Sequence, residues 1–117
     1  MKLAVNALFG IQVAAVAEVI SMLSKRGISD NQAMALLGEL PILSPAAKVA
    51  GSLMLTSNHA PLFPIELVEK DFRYAIATAQ TCGAEIPISA ALRDIYQRAI
   101  ADGYGNTNIT GIIQLFN

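Results

Sequence analysis

The chain has 117 residues, of which 54% are hydrophobic and 15% charged, with a net charge of −1 at pH 7. So apolar a composition excludes intrinsic disorder and allows one all-α domain, residues 1–117, with a real core. The lack of any Lys/Arg cluster speaks against nucleic acid as a partner, and a lone cysteine, Cys82, rules out an intrachain disulfide and fits a cytoplasmic protein.

The first stretch, Met1 to Arg26, is apolar for roughly five helical turns and contains no breaking pair of glycine and proline. It predicts one long helix from Lys2 to Arg26, apolar nearly all the way round and therefore buried among others. Its length approaches that of a membrane span. Asn6, Gln12, Glu18 and Ser21 interrupt it, however, and Glu18 is costly in mid-bilayer, so no membrane is expected as a partner. A single basic residue ahead of an over-long apolar run does not make a signal peptide. Lys2 and Asn6 stand four residues apart and share a face. That face continues through Phe9, Val13 and Ile20, so it turns from polar to apolar after two turns.

Ser29 with Gln32 three residues on forms a capping box that opens a short helix, Asp30 to Leu37, closed by Gly38. Ser44-Pro45 repeats the start signal for a helix to about Leu53. Residues 56–62 read as a loop of turn formers. Phe63-Pro64 begins a second long helix, with Pro64 at its first position, ending at Cys82 before Gly83. Ile65, Val68, Phe72, Ile76 and Ala79 recur at helical spacing as its core face. Ile86-Pro87 starts another helix to about Ala101, with Ile88, Ala91, Leu92, Ile95 and Ile100 inward and Arg93, Asp94, Gln97 and Arg98 toward water. After a tight connection at 102–106, a last helix from about Asn108 to Phe116 closes an all-α chain built around its first helix.

Generic motifs reveal no chemistry. There is no Gly-rich dinucleotide cradle after a strand and no phosphate loop. With one histidine and one cysteine far apart, no metal cluster is expected. His59 reads as a solvated loop residue and Cys82 as a small core residue. Glu18 and Tyr104 read as structural, through buried hydrogen bonding and turn packing.

Taken together in order, Lys-x-x-x-Asn at positions 2–6, the Ala17-Glu18 pair, Phe-Pro-Ile-Glu-Leu-Val-Glu-Lys-Asp-Phe at 63–72 and Gly-Tyr-Gly-Asn at 103–106 say more. The set resembles the C-terminal domain of the β-hydroxyacid dehydrogenases, the family of 3-hydroxyisobutyrate dehydrogenase and glyoxylate/succinic semialdehyde reductase. The resemblance covers essentially the whole chain and implies the 6-phosphogluconate dehydrogenase C-terminal-like helical fold. It implies that Lys2 is the catalytic residue and that Asn6 contacts substrate and helps hold the lysine. It further implies that Phe63 lines the substrate pocket, that Lys70 reaches the cofactor and that Asp71 belongs to the substrate site. Two positions depart from the family pattern: Val5 replaces a second asparagine, and Asn108 stands where an aspartate is common.

The implied chemistry is hydride exchange between NAD or NADP and a small carboxylate-bearing 3-hydroxy acid or semialdehyde. Such a transfer needs a proton to reach or leave the substrate oxygen. An ammonium beside that oxygen donates it and stabilises developing negative charge, while the start of a helix adds positive potential that suits an anionic substrate. The family's N-terminal Rossmann half, with its substrate-carboxylate loop, is expected to lie outside this chain. The chain begins one residue ahead of Lys2; alone it is expected to be inactive, to bind no cofactor and to pair as a homodimer. The competing reading is a non-catalytic helical interaction module.

Overall fold

The computed structural model describes residues 1–116. Five α-helices follow one another: α1 (Lys2–Lys25), α2 (Asp30–Glu39), α3 (Pro45–Met54), α4 (Ile65–Cys82) and α5 (Pro87–Ala99). A π turn, Ile100–Tyr104, and a 3-10 helix, Ile109–Leu115, complete the chain, and there is no strand among the described residues.

α1 is the spine, as its sequence requires. Val13, Ala14, Val16, Ala17 and Ile20 are buried in one core with Ile65, Val68 and Phe72 of α4, Leu92 and Tyr96 of α5, and Ile109 and Ile112 of the 3-10 helix. Its length and hydropathy suffice to cross a bilayer, but this buried stripe is the inner face of a helical domain. Other positions do not follow the all-round burial the composition suggests: Val5, Leu8 and Met22 are more than half exposed. Glu18 is exposed too. The buried hydrogen bond expected of it does not form, because it lies on the side of α1 that the other elements leave open.

α4 runs antiparallel to α1, and their contact is close at Gly10. A Cβ there would come within 2.8 Å of the Phe72 ring, so this crossing requires glycine. The Tyr96 hydroxyl donates to the Gly10 carbonyl oxygen at 2.7 Å, and the Tyr96 ring stacks on Phe72 with centroids 5.7 Å apart. Burial raises the Tyr96 hydroxyl pKa well above that of a free tyrosine, keeping it a neutral donor.

Helix boundaries follow the start signals closely and the stop signals less so. The Ser29/Gln32 capping box forms, with both reciprocal bonds made. α2 passes through Gly38 and ends at Glu39, because Leu40 precedes Pro41 and is held extended, at ψ 143°. Pro64 stands at the N-cap of α4 rather than inside its first turn, with an extended ψ of 144°. The inward face of α5 is also shifted: Ser89, Leu92, Tyr96 and Ala99 are buried, Ile95 is half-buried, and Ile88, Ala91 and Ile100 are exposed. Tyr96, satisfied by Gly10, takes the central place. The last helix is 3-10 rather than α. Its β-branched run (Ile109, Thr110, Ile112, Ile113) is a poor α-former, and three residues per turn put Ile109, Ile112 and Leu115 on one side. At the end of the π turn the chain reverses through Gly103, at φ +96°.

Candidate active site at the tip of α1

The antiparallel α1/α4 pairing brings the two polar motifs together. Asn6, one turn into α1, donates from Nδ2 to Asp71 Oδ2 of α4 at 3.0 Å, a contact between residues 65 apart in sequence. Both side chains are half-buried. An amide facing a carboxylate keeps its carbonyl oxygen, and its second N–H, for another group.

On the other side of Asn6, a groove of about 510 Å³ is lined by Val5, Leu8, Phe9, Gln12, Ser44 and Phe63. Phe63 reaches it because it precedes Pro64, which keeps Phe63 extended and out of α4. Thus the structure places Asn6 and Phe63 on one groove, and Asp71 behind Asn6. Val5, standing where the family pattern has a second asparagine, leaves that part of the groove wall apolar.

Lys2 is the first residue of α1, on the face of Asn6 but one turn nearer the end. It is exposed, without a hydrogen bond or ion pair among the described residues. It borders a second groove, of about 600 Å³, whose walls include Leu3, Ala7, Ile11, Thr78 and Cys82. Cys82 is therefore exposed rather than in the core, because it faces this open groove between the tip of α1 and the start of α5. Lys70 lies apart from these residues on the outer side of α4, exposed, with its ammonium 5.6 Å from the centroid of the Tyr74 ring. Among the described residues no carboxylate pairs with either ammonium.

Three polar groups that support this region, two buried and one half-buried, were not read from the sequence. Glu69, next to Lys70, is 7% exposed and holds Arg93 of α5 at 3.2 Å and Arg73 at 3.5 Å. Arg73 four residues on was the available signal. Arg93, expected in water, is half-buried by this pair. Asn108 is 5% exposed and accepts from the backbone N–H groups of Leu62 and Phe63. His59 is half-buried rather than solvated, with Nδ1 3.0 Å from the Thr110 hydroxyl, and burial lowers its pKa. Tyr104 packs against the core at the turn, as expected.

The family described as "NAD-binding of NADP-dependent 3-hydroxyisobutyrate dehydrogenase" matches residues 1–116. The chain belongs to this family. Glyoxylate/succinic semialdehyde reductase 2 of Arabidopsis thaliana is 29% identical over 114 residues, 97% of this chain and 32% of the relative. Reductase 1 of the same plant is 28% identical over 114 residues, covering 39% of that protein. The cytokine-like nuclear factor N-PAC of Gallus gallus is 25% identical over 116 residues, 99% of this chain and 21% of that one. Among solved structures, a 3-hydroxyisobutyrate dehydrogenase from Salmonella typhimurium superposes with a TM-score of 0.91 at 18% identity, over 97% of this chain and 40% of that one. The Mycobacterium tuberculosis 3-hydroxyisobutyrate dehydrogenase with L-serine gives 0.87 at 20% identity, over 99% of this chain and 42% of that one. The fold is thus the helical C-terminal fold of this dehydrogenase family. The chain spans about a third of the length of the curated reductases it matches.

Proposed function

We propose that this chain is the C-terminal catalytic and dimerisation part of an NAD(P)-dependent β-hydroxyacid dehydrogenase, acting on a small carboxylate-bearing semialdehyde or 3-hydroxy acid. The observation that carries the reading is the Asn6–Asp71 hydrogen bond. It joins the first-helix motif to the Lys70-Asp71 motif at one point, one turn from Lys2 and beside the groove of Phe63.

The roles follow from residue chemistry. Bound NAD(P)H supplies the hydride. Lys2 carries an exposed ammonium that gives a proton to the substrate oxygen in reduction and takes it back in oxidation. Asn6, fixed by Asp71, presents its remaining amide groups to the substrate. Phe63 supplies an apolar wall that excludes water from one side. The residues present suit a cofactor contact at Lys70, an exposed ammonium with no carboxylate partner among the described residues, which fits an anionic part of the dinucleotide. The chain carries no glycine-rich cradle for the pyrophosphate, so that grip belongs to a dinucleotide-binding half supplied alongside. Met22, exposed on α1 outside both grooves, supports pairing with a second copy.

The test is to join a family dinucleotide-binding half to the chain, by fusion or co-expression, and follow NAD(P)H oxidation with glyoxylate and succinic semialdehyde. Turnover by the joined protein and none by the chain alone is the expected result. A second reading, a helical interaction module without catalysis, draws on the match to a relative named as a nuclear factor. It would be preferred if the joined protein binds NAD(P)H yet turns over neither aldehyde.

A further inference from the structure

Phe63 is held by both of its backbone groups, from the far end of the chain. Its N–H donates to Asn108 Oδ1 at 2.9 Å, and its C=O accepts from the Ile109 N–H at 2.8 Å. The Leu62 N–H shares the same Asn108 oxygen at 3.3 Å. An asparagine just ahead of a helix ordinarily turns its side chain back to accept from that helix. Asn108 occupies this position before the 3-10 helix and makes no such bond. Its carboxamide instead faces across the chain, buried, with Nδ2 donating to Thr110 Oγ1 at 2.9 Å. With one end committed to Thr110, the oxygen is fixed toward the two N–H groups.

We propose that Asn108 is a positioning residue that sets the Phe63 wall of the Asn6 groove. The inference rests on the proposed function, since the placement of Phe63 matters to turnover only if that groove takes substrate. A carbonyl oxygen has two lone pairs and suits two donors. Aspartate would keep both bonds. Leucine would fill similar space and leave both N–H groups unpaired.

The test compares Asn108→Leu and Asn108→Asp by amide hydrogen exchange in the chain itself, with the α1 amides of Val13 and Ala17 as the measure of global stability. Asn108→Leu should speed exchange at Leu62 and Phe63 by about tenfold beyond any change in α1, the worth of roughly one hydrogen bond. Asn108→Asp should leave it near wild type. Should the leucine variant fail to fold, the aspartate variant still decides: the Leu62 and Phe63 amide proton shifts must follow titration of the new carboxylate. Unchanged exchange, or amides blind to that titration, would overturn the proposal. In the joined dehydrogenase, Asn108→Leu should raise KM for the aldehyde several-fold more than it lowers kcat, with Asn108→Asp restoring KM. An unchanged KM in an active enzyme also overturns it. Failure of the underlying reading looks different: the wild-type joined protein does not turn over at all, and the exchange experiment then decides alone whether Asn108 holds Phe63.

Discussion

Asn6 and Asp71 depend on each other, and the dependence is measurable without any cofactor. A hydrogen bond to a carboxylate contributes about 1.5–3 kcal/mol when shielded and less when part-exposed. Because both partners are half-buried, Asn6→Ala and Asp71→Ala should each destabilise the chain modestly, with a coupling energy of about 1 kcal/mol in the double-mutant cycle. Chemical denaturation of the four proteins gives this number, and additivity would show that the contact is absent in solution. His59 makes a second residue-scale prediction. Burial holds its pKa below the ordinary 6.5, so between the two values the unfolded chain binds more protons than the folded one. Stability is therefore complete above about pH 6.5 and declines as pH falls toward the folded value. The thermal midpoint, followed by circular dichroism, should drop on acidification through that window, and His59→Gln should remove this part of the drop. Neither pairing was legible from spacing. Asn6 and Asp71 were marked by resemblance to a family, but their contact depends on the antiparallel path of α4. The loop composition around His59 gave no sign of its partner Thr110.

At the scale of elements, start signals were legible because they are local chemistry. Ser29 with Gln32, and Ser44 with Pro45, satisfy helix N–H groups by themselves. The inward face of α5 was not, because two adjacent apolar rows compete and the choice depends on what waits opposite. Tyr96 wins by stacking on Phe72 and finding the Gly10 carbonyl. Cys82 was misplaced for a similar reason: nothing in its neighbourhood in sequence tells that a groove lies open between the end of α4 and the tip of α1. The tight α1/α4 contact has a direct consequence. In an open helix, Gly10→Ala would gain about 1 kcal/mol of propensity. Here the new Cβ meets the Phe72 ring, and overpacking costs about 1–3 kcal/mol, so the variant should be less stable in urea melts. In a Phe72→Leu background the same alanine should be neutral or stabilising. A stabilised Gly10→Ala single variant would show that the helices are not this close.

At the scale of the molecule, the helical fold was legible almost throughout, since its core faces repeat at helical spacing and its caps mark the breaks. The candidate site was legible in its residue types and not in its geometry. Asn6 and Phe63 share one groove with Asp71 behind, whereas Lys2 borders another and Lys70 lies on the outer side of α4. In the proposed enzyme, the second half of the site must close over the α1 tip for Lys2 to meet the substrate oxygen. The most direct measurement is kcat for semialdehyde reduction by the joined protein carrying Lys2 or Lys2→Ala, with and without added ethylamine. Loss of the proton donor should lower kcat by about 10²–10⁴-fold, with partial recovery in amine. A Lys2→Ala enzyme within a few-fold of wild type would contradict the role assigned to Lys2.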